Sequence, residues 1–364
     1  MVFSDRSRAA QARRSLLRWY QRRSRALPWR SSSAPYAVWL SEVMLQQTQI
    51  ETVIPFYQRF LREFPTVEHL ANAPLERVLE LWSGLGYYRR ARNLHRAAQE
   101  LVEKYKGRFP REVALARSLP GVGDYTAKAV LSIAYNRPFA VLDGNVARVM
   151  ARVLAVSGSL PQPEFRRTVQ EELDLLLSRR SPGNFNQAMM ELGQTVCLPQ
   201  SPQCSLCPLK PWCKSFHSGN PEAFPDPKPR RQSEKWHMAV AILHKNQQVM
   251  LLRGLDDGLL DDLWNFPSAL GKTGNEALKS LKVKLSASLA VVPSLKGPSY
   301  QLRHNITYRL IRVQVYKGHF RGETPMDGFR WFHPRSIARG AVSELARKIA
   351  REMNNTASRQ QDKL

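Results

Sequence analysis

This chain of 364 residues has almost no cysteine: there are four, all between Cys197 and Cys213. Their confinement to one short stretch argues against a disulfide-stapled scaffold. Long apolar runs are missing too. None approaches the ~20 residues of a membrane span, and the polar start, with Asp5, Arg6 and Arg8, lacks an apolar signal core, so an unexported protein with no membrane partner is expected. Acidic residues are scarce, 30 Asp and Glu against 55 Lys and Arg, for a net charge of +25. Such an excess favours a polyanion, because cations that neutralise phosphates release condensed counterions. Nucleic acid is the leading partner; an anionic membrane surface and a solvated basic face are the alternatives. Residues 1–30 concentrate the charge, with nine Arg against the single acid Asp5. Hydrophobic residues make up 43% of the chain, enough for a sizeable core, and the length suggests two domains.

From Ala9 to about His217 the apolar residues recur at helical spacing, with breaks at Pro28, Pro35, Pro65, Pro110, Pro120, Pro138 and Pro182. The proline-rich stretch Glu222–Lys235 reads as a linker. Beyond it the period changes to short strands at Met238–Leu243, Val249–Leu252, Ile306–Tyr316 and Phe329–Phe332. The first two are joined by a polar Lys-Asn-Gln turn, and a helix with Val342, Leu345, Ala346 and Ile349 on one stripe would cover one sheet face. The expected layout is a mainly α domain over 1–217, a linker over 218–236, an α+β domain over 237–353 and a frayed polar tail over 354–364.

Cys197-x6-Cys204-x2-Cys207-x5-Cys213 puts four thiolates in one compact loop, as a [4Fe-4S] cluster requires. Zinc is the rival, but structural zinc sites more often use two close pairs or Cys/His mixtures. The cluster would brace a DNA-contacting loop carrying Lys210 and Lys214. Upstream, Leu119-Pro-Gly-Val-Gly-Asp-Tyr-Thr-Ala-Lys-Ala-Val130 places Gly121, Val122 and Gly123 in a tight turn between a helix ending near Ser118 and one starting near Asp124. The free N–H groups of such a turn can hold a phosphate without reading sequence. A plain interhelical turn is the alternative.

Two carboxylates stand out. Glu42 sits in a helix among Val38, Trp39 and Leu45, so burial should favour its protonated form and suit it to general-acid work, whereas composition alone would make it an ordinary surface Glu. Asp143 follows the apolar run Phe139–Leu142 where a helix N-cap belongs, and backbone donors there favour a charged carboxylate. Mere capping is compatible with that. Two carboxylates under opposite pressures suit glycosidic cleavage.

The motifs Leu27-Pro-Trp-Arg30, Trp39-Leu-Ser-Glu-Val-Met-Leu-Gln-Gln-Thr-Gln49, Gly84-Leu-Gly-Tyr-Tyr88, Leu142-Asp-Gly-Asn-Val146 and Phe185-Asn-Gln-Ala-Met-Met-Glu-Leu-Gly193, with the hairpin and the cysteines, resemble the adenine DNA glycosylases. These are helix-hairpin-helix enzymes with an iron-sulfur loop, related to endonuclease III. The resemblance spans Leu27 to Cys213 in the family's order; more weakly, the C-terminal domain is similar to the family's Nudix-like lesion-recognition module. It implies a monomer that acts on chromosomal DNA in the cytoplasm, on double-stranded DNA carrying adenine opposite 8-oxoguanine or guanine. Glu42 would protonate the adenine, Asp143 would stabilise or bond to the sugar, Asn145 would orient Asp143, and Tyr125 would assist the transition state. Lyase relatives have a Lys where Tyr125 stands, and a phenol cannot form a Schiff base, so base removal without strand scission is expected; the alternatives are an endonuclease III-like glycosylase/lyase for oxidised pyrimidines and a non-catalytic iron-sulfur DNA-binding module.

The resemblance further nominates Gln47 and Tyr87 as the wedge that fills the gap left by the extruded base, Thr48 and Leu85 as neighbours of the opposite base, and Trp29, Arg30 and Gln187 as the adenine pocket. Gln47 shares an apolar helical stripe with Leu40, Val43 and Met44, a costly place for an amide unless it faces a ligand. Tyr88 is expected in the core. The C-terminal domain lacks the close-spaced Glu array of a Nudix hydrolase, Glu276 being the sole acid between Gly271 and Val292, so no hydrolysis is expected there. The family's His-x-Phe-Ser-His lesion loop is replaced by His304-Asn-Ile-Thr-Tyr308, in which His304 and Thr307 are the candidate lesion contacts and a plain strand is the alternative.

Overall fold

The computed structural model describes residues 2–226, 232–253, 263–289, 293–306, 308–322, 328–337 and 340–361. The chain forms two compact units, Met1–Ala73 with Arg89–Pro229, and Pro74–Tyr88 with Arg230–Leu364. In chain order the first helices are α1 (Arg6–Arg23), α2 (Pro35–Leu45), α3 (Ile50–Glu63), α4 (Val67–Asn72), α5 (Leu75–Trp82), α6 (Arg89–Tyr105), α7 (Val113–Ser118), α8 (Asp124–Tyr135), α9 (Gly144–Leu154), α10 (Pro163–Leu176), α11 (Pro182–Thr195) and α12 (Lys214–His217). Proline starts α2 and α11 at two of the expected breaks, and also α10, in each case in the first turn, where a missing N–H costs nothing.

In the first unit, α1, α9, α10 and α11 share one core that includes Leu16, Met150, Val169, Leu173, Phe185 and Leu192 and extends to Leu209 and Cys213 in the cysteine loop. Val2 and Phe3 belong to that core, and their N–H groups donate to the buried Glu172 carboxylate at 2.6 and 2.9 Å. The N-terminal segment is thus a packed element rather than a solvated tail. α2 is buried continuously from Ala37 to Met44. Among these residues only Ser41 and Glu42 carry polar side chains apart from the Trp39 indole N–H, so the chain pays a desolvation penalty to keep a carboxyl there. Gly183 and Gly193 let α11 approach its neighbours closely. A Cβ at Gly183 would lie 2.9 Å from the backbone of Ile133 and Ser132, and one at Gly193 would lie 2.7 Å from Asn145 Cβ.

In the second unit, the strands are β1 (Glu234–Lys245), β2 (Gln248–Leu252), β3 (Ser268–Gly271), β4 (Lys296–Ile306), β5 (Arg309–His319) and β6 (Phe329–Phe332), with helices α13 (Gly274–Ser288) and α14 (Glu344–Gln361). The sheet runs β4-β5-β1-β2-β6, with β3 also on β1. β1 and β5 are parallel and the other pairs antiparallel. Alternation along β1 sends Met238, Val240 and Ile242 into the cluster with Leu345 and Ile349 of α14, and Ala239, Ala241 and Leu243 into the cluster with Leu281 and Leu285 of α13. The Lys-Asn-Gln turn is a two-residue hairpin with Asn246 and Gln247 both left-handed, the conformation that matches strand twist.

Several expectations need correction. β3, β4 and α13 add to the expected elements, and the apolar run Ile306–Tyr316 joins the last residue of β4 to most of β5, since Ile306 pairs with Arg309. The polar tail expected to fray from Asn354 is part of α14 as far as Gln361.

Within the second unit, α5 and the Gly84–Tyr88 turn are pinned from three sides. Trp264 Nε1 donates to Glu76 at 3.3 Å, Ser83 Oγ donates to the Val342 carbonyl at 3.0 Å, and Arg347 donates to the Ser83 carbonyl at 3.3 Å.

Candidate active site

Glu42 is 7% exposed on the buried helix α2. Burial pushes its carboxyl up to about 7; a hydrogen bond from Tyr125 opposes the rise and the nearby Asp143 adds to it. Tyr125, in the first turn of α8, is raised well above the usual phenol value by burial and then by Glu42 and Asp143, and its Oη lies 3.3 Å from Met190 Sδ. Two carboxyls and a phenol therefore share one small volume, in which Glu42 is held near the midpoint of its titration at neutral pH.

Asp143 caps α9. Its Oδ1 accepts from the Val146 N–H at 2.7 Å and its Oδ2 from Asn145 Nδ2 at 3.1 Å, which fixes the carboxylate's orientation. Asn145 is oriented in turn by Arg148, whose guanidinium donates to Asn145 Oδ1 (3.0 Å), to the Gly193 carbonyl (2.6 Å) and to the Cys197 carbonyl (2.9 Å). Asn186 sets the strand-like approach to Asp143: it accepts from the Val141 N–H and donates to Ser132 and to the Phe139 carbonyl, both at 2.8 Å.

A narrow cleft beside Glu42 is lined by Trp29, Arg30, Gln187, Met190 and Gln194, among others. Trp29 stacks edge-on against Tyr57, and Gln187 Oε1 accepts from Tyr20 Oη at 3.3 Å. Arg30 lies over the Tyr20 ring and donates to Glu191 at 2.7 Å. Burial alone would raise the Glu191 carboxyl, but the hydrogen bonds from Arg25 and Arg30 hold it at about 2.

Gln47 does not lie on the α2 stripe. The helix ends at Leu45 because the buried Arg90 takes its last carbonyls, Val43, Met44 and Gln46, while also donating to Thr48 Oγ1 at 3.1 Å. Gln47 follows in an exposed, left-handed conformation with φ 58°. Tyr87, in the second unit, is likewise left-handed at φ 51° and is 49% exposed. Two non-glycine residues in that region store strain, which is more common at functional positions. Leu85 is buried, and Tyr88 is half-buried with its hydroxyl bonded to Ser83 and to the Gly84 N–H.

In the hairpin, Gly121 is left-handed at φ 76° and a Cβ there would meet Asn93 at 2.7 Å, whereas Gly123 faces open space. Val122 is buried as the turn's anchor. Lys128 is engaged by Asp124 at 2.9 Å.

The four cysteines carry no disulfide and line one cavity together with Val149, Val153 and Val196. Burial raises the thiols of Cys197, Cys204 and Cys207, and each is raised further by neighbouring cysteines. A cationic core would reverse that pressure. Four free cysteines around one cavity are consistent with an iron-sulfur cluster. Arg152, buried at 2% exposure, stitches the loop with bonds to the carbonyls of Leu198, Pro199 and Phe224 and lies 3.4 Å from Cys197 Sγ.

Residues 40–174 match the family model described as HhH-GPD superfamily base excision DNA repair protein. The adenine DNA glycosylase of Rattus norvegicus is 34% identical over 408 residues, which cover 96% of this chain and 79% of the rat protein; that of Homo sapiens is 33% identical, covering 96% and 75%. The chain belongs to the adenine DNA glycosylase family. The relationship takes in the second unit, since it spans nearly the whole chain. A thermostable thymine-DNA glycosylase superposes with a TM-score of 0.52 at 24% identity over 57% of this chain and 98% of that one, which shows the shared helical fold.

For an adenine DNA glycosylase of base excision repair, the site has supports that the motifs alone did not disclose: Arg90, Arg148, Arg152 and Asn186, each bonding residues some 40 or more positions away. Asn186 lies inside one of the motifs, whereas the only sequence signal of the three arginines is a basic residue inside an otherwise apolar helical stripe. His304, nominated as a lesion contact, is buried at 9% exposure; burial and then Lys348 push its imidazole down to about 4, and its Nδ1 has no partner among the described residues. Thr307 lies outside the described residues.

The close α9–α11 contact gives a first test. Gly193→Ala forces a Cβ against Asn145 and should cost about 1–3 kcal/mol of stability by overpacking. It should also slow excision through the displaced Asn145–Asp143 pair, read by thermal melting and single-turnover kinetics.

Proposed function

We propose that this chain excises adenine paired with 8-oxoguanine, and less efficiently with guanine, by acid-assisted hydrolysis of the N-glycosidic bond without strand scission. The observation that carries the reading is the buried Glu42 carboxyl, held at about 7, hydrogen-bonded by Tyr125 and raised further by the nearby Asp143. Protonated Glu42 donates to the extruded adenine and makes it a better leaving group. As the bond breaks, positive charge develops on the sugar, and the oriented Asp143 carboxylate stabilises it or bonds to it. Tyr125 donates to Glu42 and offers no amine for an imine; the lysine three residues on is occupied by Asp124.

In this reading, Trp29, Arg30 and Gln187 enclose the adenine, and Gln187 supplies donor and acceptor to the base edge. Gln47 and Tyr87 fill the vacated stack, supported by their exposure and left-handed backbones. Thr48 and Leu85 meet the opposite base, His304 and Thr307 are the lesion contacts of a Nudix-like module, and the turn over Gly121, Val122 and Gly123 takes a phosphate. Cys197, Cys204, Cys207 and Cys213 would hold a [4Fe-4S] cluster, which braces the loop tied to Arg148 and Arg152.

Single-turnover reactions of the cluster-loaded protein on duplexes with adenine opposite 8-oxoguanine, guanine and thymine test this. Cleavage at adenine should require alkali work-up and be fastest opposite 8-oxoguanine and absent opposite thymine. Cleavage without alkali, or a borohydride-trapped adduct, would replace it with a lyase mechanism.

A further inference from the structure

α1 has two faces of different character. Ala9, Ala12, Leu16 and Tyr20 are buried in the first unit, while Arg14, Arg18 and Arg22 recur every fourth residue on the exposed side, with Arg23 beside them. Like charges at that spacing destabilise a helix, so the row needs a reason. Other arginines nearby are committed: Arg13 donates to the carbonyls of Leu175 and Leu176, and Arg25 and Arg30 pair with Glu191. No acid among the described residues pairs with Arg14, Arg18, Arg22 or Arg23.

These four arginines wall an open groove of about 530 Å³ whose other lining includes the half-buried Trp19 and Pro208. Pro208 lies within the cysteine loop, and Ser15 Oγ donates to its carbonyl at 2.9 Å, which fixes the helix against that loop. The groove shares no lining residue with the cleft at Glu42. It is built like a backbone site: guanidinium forks spaced about 6 Å apart along a helix, one turn per residue, rigid walls and no acid.

We propose that this groove is a second DNA contact, distinct from the base-excision cleft and from the glycine hairpin, that takes backbone phosphates of the substrate duplex flanking the mispair. It rests on the reading that the chain acts on DNA. Each phosphate neutralised by an arginine releases counterions and adds sequence-independent affinity, and such contacts position the duplex without reading it.

The test compares the full-length, cluster-loaded wild type with an Arg14→Gln/Arg18→Gln/Arg22→Gln variant, using duplexes that cover the mispair alone or extend two helical turns to either side. The wild type should bind the long duplex more tightly than the short one. The variant should lose that gain, and its log-affinity against log-salt slope on the long duplex should flatten by roughly 2 to 3, at about 0.9 per phosphate. Its short-duplex affinity and saturating single-turnover rate should match the wild type, which also shows that it folds. An Arg14→Lys/Arg18→Lys/Arg22→Lys variant should retain the slope. Unchanged long-duplex affinity and slope in the Gln variant would overturn the proposal, as would an equal loss on both duplex lengths. Because binding and excision are read separately, a wild type that binds by length but excises no adenine would sink the catalytic reading and leave this one intact.

Discussion

Glu42→Gln should slow single-turnover adenine excision by about 10²–10⁴-fold, the usual worth of a positioned general acid, with affinity for mispaired duplex unchanged. The amide keeps the volume and a hydrogen-bonding oxygen for Tyr125 but has no proton to give. Stability separates chemistry from structure. Glu42 titrates near 7 in the folded protein, above the ~4.3 of an unfolded Glu, so the folded state holds the proton more tightly. The wild type therefore loses stability as pH rises from about 4 through 7, while the Gln variant has no such loss. Above pH 7 the variant should melt at or above the wild-type temperature. A variant that loses stability and duplex binding together would move Glu42 from chemistry to packing.

Asp143→Asn should lower the same rate by about 10²–10³-fold, the scale of removing one preorganised charge from a site where opposite charge develops. Asn is an equally good N-cap, so it should still accept from the Val146 N–H, and α9 should keep its start. A second readout ties the two carboxyls together. Asp143 contributes to the upward shift of Glu42, so removing its charge should move the alkaline limb of the residual pH profile to lower pH. A limb that stays in place would mean that the two groups do not share an electrostatic environment.

Much of this site was legible because its motifs are local. The Asp143 cap, the apolar setting of Glu42 and the hairpin between Ser118 and Asp124 each depend on residues within one or two turns. What escaped depends on long-range partners. The end of α2 carries no glycine or proline; it is set by Arg90, 47 residues from Val43, and without that partner Gln47 reads as part of the helix. Arg152 reaches 46 residues to Leu198, and Asn186 reaches 45 to Val141. The second unit was harder for another reason. β4 is largely exposed along its length, with Gly297 and Pro298 near its start, so it lacks the apolar alternation of a half-buried strand. α13 hides a narrow stripe of Ala277, Leu281 and Leu285 among lysines. Its hydrophobic face is complete only against β1 and β3.

The central claim is that a buried carboxyl supplies the proton. The most direct test is the pH dependence of single-turnover excision by the cluster-loaded wild type, under saturating enzyme, on adenine opposite 8-oxoguanine. The rate should be level on the acid side and fall tenfold per pH unit above an apparent pKa of about 7, with that limb absent from whatever rate Glu42→Gln retains. A wild-type rate that stays flat through pH 6 to 9 would contradict the account.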